Sequence, residues 1–258
     1  MLQLSAHLGY LFTELPLEQR PGAASEAGFT LIEHPNPYAI PARQLDKLCR
    51  QHDLGFVQLA LPSGDPVRGE KGLACLPHRR VEFERSIETG LSYARAVGAR
   101  FIHVMAGVTP PDQRPEELWA HYIDSLRLAC RAAAGTPIGV VIEPIGPATL
   151  PGYYLSDPYD ALRAIKDVGA SNLSMLFDAF HAACAGIDPV KFVRQHQGHI
   201  RHLHIADHPG RHEPGTGSIP FGALFEELSA GGYAGAIGLE YIPRTSTLEG
   251  LGWRRRYE

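Results

Sequence analysis

IGVVIEP, residues 138–144, is a run of small and β-branched residues with no polar break before Glu143 and Pro144. An apolar run of this kind fits a strand buried on both faces, as in a parallel sheet, better than the alternating strand of a one-sided sheet. Working outward from it, comparable runs lie at 2–7, 29–33, 55–61, 99–105, 172–177, 200–205 and 236–241, and 138–143 completes a set of eight strand candidates. Helical spacing fills gaps between them. In 79–97 the residues Val81, Phe83, Ile87, Leu91, Tyr93 and Ala94 recur at helical spacing. The stretch 115–133 opens with Pro115-Glu116-Glu117, a helix-start signal. Further helices are predicted at 157–167, from Ser156-Asp157-Pro158, and at 220–230, after Ser218. Gly28, Gly98, Gly135, Gly169 and Gly231 follow helical segments, where C-caps belong. Strand–helix alternation along the chain implies βαβ units and a parallel sheet. Eight such units in ~250 residues predict an α/β fold, a single (β/α)8 TIM barrel over 1–258. A doubly wound open sheet is the alternative, weakened because no GxGxxG follows the first strand. The loop 62–78, with Gly64, Gly69 and Gly72, is long enough to suggest a functional role.

Composition narrows the function. The 258 residues carry 24 Lys and Arg against 28 Asp and Glu, a net charge of −4, which offers no general attraction to nucleic acid or an anionic membrane. No apolar run approaches the ~20 residues that span a bilayer, and the N-terminal MLQLSAHLGY does not read as a signal peptide. Cys49, Cys75, Cys130 and Cys184 form no CxxC pair and are expected to be buried free thiols of a cytoplasmic protein. The expected partner is a small molecule, with no nucleic acid and no membrane, and a homo-oligomer stays open. Trp253 is expected to dock on the body of the protein or on a partner subunit, and the basic GWRRRYE tail to be solvated.

In a barrel the active site lies at the C-terminal ends of the strands, so the residue ending each strand matters. VVIEP ends in Glu143, LSMLFDAFH in Asp178 and then His181, RHLHIAD in His204 and then Asp207, and GAIGLEY in Glu240. Each taken singly reads as well as a structural carboxylate or a hydrogen-bonded core histidine. Together they read differently. Three carboxylates on one buried rim would cost several kcal/mol each without a cation. Glu143, Asp178, His204 and Glu240 therefore form a candidate site for one divalent metal ion, Mg²⁺ or Mn²⁺ before Co²⁺ or Zn²⁺. Such an ion, with positions left for substrate oxygens, suits Lewis-acid work on a carbonyl or hydroxyl. Glu33, His34, His7 and His103 also sit in or at the ends of strands and read equally well as pocket or core residues. Lys71 and Arg68 in the 62–78 loop either attract an anionic substrate or solvate the loop.

At these residues the sequence resembles the hydroxypyruvate isomerase family, among the xylose-isomerase-like metal-dependent TIM barrels. The resemblance runs over roughly residues 1–253. It is carried by SGDPVRGEKGLACLPHRRVEF (63–83), VIEPIGPATLPGYYL (141–155), FDAFH (177–181), HIRHLHIADHPGRHEPGTGSI (199–219) and the LEYIPRTST and LEGLGW segments of 239–253. It implies isomerisation of a small 2-keto or hydroxy acid through an enediol, with a divalent metal. The family's catalytic glutamates fall on Glu143 and Glu240, and its other metal ligands on Asp178 and position 204. In related ketose epimerases the residues at the positions of His181 and Arg211 contact substrate. Two positions depart from the pattern: hydroxypyruvate isomerases commonly carry Gln where this chain has His204, and Thr149 stands where relatives have acids. On the residues themselves, Arg211 reads equally as a loop ion pair with Glu213, and His181 as a hydrogen bond at a helix N-terminus. Alternatives on the same barrel are a four-carbon 2-oxo-tetronate isomerase, a ketose 3-epimerase, a DNA-repair endonuclease with a multi-zinc cluster, and a non-catalytic binding protein.

Overall fold

The computed structural model describes residues 2–257. Nine parallel strands among them form one sheet in the order β3-β2-β1-β9-β8-β7-β6-β5-β4. They are β1 (Gln3–His7), β2 (Leu31–Glu33), β3 (Gly55–Phe56), β4 (Gln58–Ala60), β5 (Phe101–His103), β6 (Gly139–Ile142), β7 (Leu173–Asp178), β8 (Ile200–Ile205) and β9 (Ala236–Leu239). Each of the eight predicted strands is present. The third, 55–61, is divided at Val57, whose N–H donates to Ile32 O at 2.8 Å and whose carbonyl accepts from Phe101 N at 2.9 Å. One residue thus pairs to both sides and joins the two ends of the sheet into a ring. The open doubly wound alternative is excluded, and the (β/α)8 expectation stands.

The predicted helices appear as α3 (Arg80–Val97), α4 (Pro115–Ala133), α5 (Pro158–Val168) and α8 (Phe221–Ala230), alongside α1 (Arg20–Glu26), α2 (Ala42–Gln51), α6 (Ala179–Cys184), α7 (Pro189–His196) and α9 (Thr247–Gly250). In α3 the side chains of Phe83, Ile87, Leu91 and Ala94 are buried, as their spacing requires of the face turned to the sheet. Asp157 caps α5 by accepting from Tyr159 N at 2.7 Å, and Gly169 ends it in the left-handed conformation, φ 69°. Gly231 departs from the expected cap: its φ is −80°, and Gly232, at 68°, takes the left-handed position. All four cysteines are free, three of them buried and Cys184 half-buried. Trp253 docks on the body of the protein, donating from Nε1 to Tyr241 Oη at 3.3 Å. No helix among the described residues is long and apolar enough to cross a membrane.

The main apolar core lies between sheet and helices, while Leu31, Val57, Ala236 and Phe101 form a separate small cluster. Above that cluster the centre of the barrel is polar. Glu33 on β2 meets His202 and His204 on β8, although β1 and β9 separate those strands in the sheet. Only the barrel lumen allows that contact. Gly238 on β9 leaves the space for it: an added Cβ would sit 2.2 Å from Glu33 Oε1 and 2.6 Å from His204 Cδ2. Gly238→Ala is therefore expected to destabilise the barrel by about 1–3 kcal/mol through overpacking, read as a lower midpoint of urea unfolding. An unchanged midpoint would show that the lumen yields at no cost.

Candidate active site and metal centre

The four strand-end residues converge. Glu143, Asp178, His204 and Glu240 each bring one potential ligand atom within 4.8 Å of the others. Their backbone positions explain why. Glu143 follows the last residue of β6, Asp178 ends β7, His204 lies in β8 and Glu240 follows the last residue of β9, so four successive parallel strands deliver them to one rim. Asp178 also caps α6, its Oδ1 accepting from Phe180 N at 2.7 Å, which leaves Oδ2 for the site. His204 Nδ1 lies 3.4 Å from Glu240 Oε2 and 3.9 Å from Glu143 Oε1.

The orientation of His204 is set from behind. Its Nε2 lies 2.7 Å from Glu33 Oε1. A carboxylate there holds a proton on Nε2 and turns Nδ1 toward Glu143 and Glu240. Against the effect of burial, Glu240 and Glu33 raise the pKa of this imidazole well above its ordinary value. The other Glu33 oxygen faces His202 Nε2 at 2.9 Å, and His202 Nδ1 lies 3.0 Å from Ala236 O. Burial disfavours the Glu33 carboxylate, but His202 and His204 overcome this and hold its pKa below the ordinary range. His7, Glu33 and His204 also bring one atom each within 4.8 Å. Because Glu33 already bonds to His204, that group reads as the support of a ligand.

Electrostatics at the rim separate the two glutamates. Burial, and after it the charge of Glu240, push the Glu143 carboxyl well above its usual range. Burial pushes Glu240 the same way, but His204 and Arg211 outweigh it and hold that carboxyl well below. Three buried atoms, Glu143 Oε1, Asp178 Oδ2 and His204 Nδ1, have no hydrogen-bond partner. Buried polar atoms left unpaired cost about 1–3 kcal/mol each, more when charged, and a cation at their common focus satisfies all three. Two or three carboxylate oxygens with one imidazole nitrogen fit a divalent ion of the Mg²⁺ or Mn²⁺ type.

Substrate-contact candidates surround this centre. Arg211 forms an ion pair with Glu240 and lies 3.6 Å from Asp178 Oδ2. Its guanidinium carbon stands 4.9 Å from the ring centre of Tyr10 and 5.2 Å from that of Phe180. The loop pairing with Glu213 is not formed; Glu213 Oε1 accepts from Arg244 N instead. His181, in the first turn of α6, puts Nε2 3.4 Å from Asp178 Oδ2 and Nδ1 3.2 Å from Thr149 Oγ1. Thr149 thus contacts a candidate substrate-binding side chain. His7 Nε2 lies 3.3 Å from Glu240 Oε1, and His103 Nδ1 3.9 Å from Glu143 Oε2. Burial lowers the pKa of both imidazoles, that of His103 to about 3. His34 lies outside this set, its Nδ1 accepting from Asn36 N at 2.9 Å. Lys71 is exposed in the 62–78 loop and makes no contact with the centre among the described residues. Arg68 lies beside Glu70, at 3.8 Å, in the same loop.

The sequence reading did not single out the Glu33–His202 pair as the support of His204. The available signals were a glutamate ending a fully apolar strand and two histidines spaced by two on β8. Glu33→Gln is expected to weaken divalent-metal binding about 10–100-fold, measured by calorimetric titration with Mn²⁺. An unchanged affinity would remove Glu33 from this role.

The profile of the family described as xylose isomerase-like TIM barrel matches residues 21–257. A 2-oxo-tetronate isomerase of Cupriavidus necator is 37% identical over 257 residues, covering 100% of this chain and 99% of the relative. The hydroxypyruvate isomerase of Escherichia coli is 35% identical and covers 100% of both. Among solved structures, a Brucella melitensis protein named as an AP endonuclease of family 2 superposes with a TM-score of 0.97 at 32% identity, covering 100% of both chains. An L-ribulose 3-epimerase, at 21% identity and a TM-score of 0.76, covers 100% of this chain and 87% of its own and shares the fold. The chain belongs to the xylose isomerase-like TIM-barrel family, alongside its hydroxypyruvate and 2-oxo-tetronate isomerases, and is an enzyme of the isomerase class.

Proposed function

We propose that the enzyme interconverts hydroxypyruvate and tartronate semialdehyde through an enediolate, with one divalent metal ion. The observation that carries this is the convergence of Glu143, Asp178, His204 and Glu240, three of whose buried atoms have no hydrogen-bond partner. A divalent ion held by these four residues supplies Lewis-acid polarisation of the carbonyl and hydroxyl oxygens.

The chain's own groups do the rest. Hydroxypyruvate has its carbonyl at C2 and its hydroxyl at C3. Isomerisation moves one proton from C3 to C2 and one from O3 to O2. Glu143 and Glu240, at the ends of β6 and β9, are the proton-transfer pair on carbon. His181, between Asp178 and Thr149, is placed to pass the proton between the oxygens. Arg211 pairs with the substrate carboxylate, whose two oxygens match its planar fork. Lys71, on the exposed loop, contributes attraction to the anionic substrate.

A second reading, isomerisation of a four-carbon 2-oxo-tetronate, is favoured by the 37% identity to the Cupriavidus necator enzyme of that name. It uses the same groups and differs in pocket length. Assays on both acids decide between the two by the ratio of kcat/KM. The name of the Brucella melitensis protein raises a nuclease; a single ion per chain supports the isomerase, and three would support the nuclease.

Two outcomes are expected. EDTA abolishes turnover and Mn²⁺ or Mg²⁺ restores it. Glu143→Gln and Glu240→Gln each lower kcat about 10²–10⁴-fold with unchanged circular dichroism, and a near-normal rate in either variant removes that residue from the mechanism. In D₂O, deuterium entering C2 or C3 supports proton transfer, and its absence points to a direct hydride shift.

A further inference from the structure

The HPGRHEPGTGSI segment, residues 208–219, is part of the resemblance described above, yet apart from Arg211 none of its side chains has been given a task. Its backbone is gathered around one buried side chain, that of Asp207. Asp207 Oδ1 accepts from His208 N at 2.9 Å and Ile219 N at 3.0 Å. Asp207 Oδ2 accepts from Gly215 N and Gly217 N, both at 2.8 Å. The backbone of the same residue donates to His212 O at 2.8 Å and accepts from Arg211 N at 3.0 Å.

We propose that Asp207 is a positioning residue: its carboxylate gathers the 208–219 loop and so presents Arg211 to the site. The proposal rests on reading Arg211 as the partner of the substrate carboxylate. Three observations lead to it. Both oxygens of Asp207 are fully engaged with backbone N–H groups, so the side chain is no direct participant in chemistry. Arg211 adopts φ 58°, a left-handed conformation that a non-glycine residue holds only when its surroundings impose it. Three backbone bonds bracket that residue, from Arg211 N to Asp207 O, from Asp207 N to His212 O and from Ile242 N to Arg211 O at 2.7 Å. The carboxylate bonds to 208, 215, 217 and 219 close the loop on either side of it. Finally, the loop is built to close on the carboxylate. A Cβ on Gly217 would lie 2.2 Å from His208 O and 2.7 Å from Asp207 Oδ1, so only glycine lets the backbone approach this closely.

An ionised carboxylate accepts from all four N–H groups at once. A carboxamide of the same shape turns an NH₂ toward two of those donors. Asp207→Asn therefore loosens the loop without emptying its centre. Arg211 would then be displaced from a contact made in both ground and transition states. KM for hydroxypyruvate is expected to rise about 10-fold or more, with kcat held within about 3-fold. Gly217→Ala, which disturbs the same contact from the loop side, is the second variant and should act in the same direction.

The decisive experiment is a double-mutant cycle of Asp207→Asn with Arg211→Met, read in KM and kcat, together with amide hydrogen exchange of His208, Gly215, Gly217 and Ile219. If Asp207 acts through Arg211, its substitution changes KM little in the Arg211→Met background. The four amides exchange faster while those of the barrel strands do not. Additive effects on KM, or unchanged exchange, overturn the proposal. Should the wild-type enzyme not turn over hydroxypyruvate while converting another small oxo acid, the substrate reading fails, and the same cycle on that acid judges Asp207. If no small oxo acid is converted, the reading of Arg211 as a carboxylate partner falls, and the proposal falls with it.

Discussion

Carboxylates brought together out of water repel one another and lose their hydration, and both effects must be met by something at the same place. In this barrel, Glu143, Asp178 and Glu240 crowd one end of the lumen, with Glu33 behind them. The protein meets the Glu33 charge with two histidines and part of the rim charge with Arg211. The remaining imbalance lies at the centre, where Glu143 Oε1, Asp178 Oδ2 and His204 Nδ1 lack hydrogen-bond partners. The polar lumen, the glycine at 238 and the loop that carries Arg211 all serve this one concentration of negative charge.

Much of this is legible in the sequence. A parallel barrel strand is apolar until it leaves the sheet, so a charged residue at the end of such a run stands out, as Glu143, Asp178 and Glu240 do, while His204 stands inside its strand. Strand and helix order followed from periodicity and caps. What was not legible depends on contacts across space. Glu33 meets His202 and His204 across the lumen from a non-neighbouring strand, and spacing along the chain does not encode that distance. Val57 divides the third strand because it must pair to both sides, a closure property of the ring. The polar helix α2, with only Leu45 and Cys49 buried, carries too narrow an apolar stripe to stand out by pattern.

The fold and the loop divide the work. Strand ends hold the ligand set on rigid backbone, which suits groups that must keep a fixed geometry. Arg211 comes from a segment without regular secondary structure, ordered by hydrogen bonds to a carboxylate. Such a segment can change in shape without disturbing the barrel, so pocket dimensions can vary while the chemistry at the rim is retained.

The contact between Glu33 and His204 reaches beyond orientation. Glu33 needs a hydrogen-bond donor facing it, and the cluster needs an acceptor on the opposite side of the same side chain. An imidazole meets both demands with its two nitrogens, and a glutamine amide meets them with its NH₂ and its carbonyl oxygen. Histidine and glutamine are therefore exchangeable at position 204 in donor–acceptor polarity, though not in bulk. The imidazole edge lies where a Cβ at position 238 would intrude, so residues 33, 204 and 238 form a single unit of substitution. An engineered change of ligand at 204 has to be made together with the residue facing it on β9.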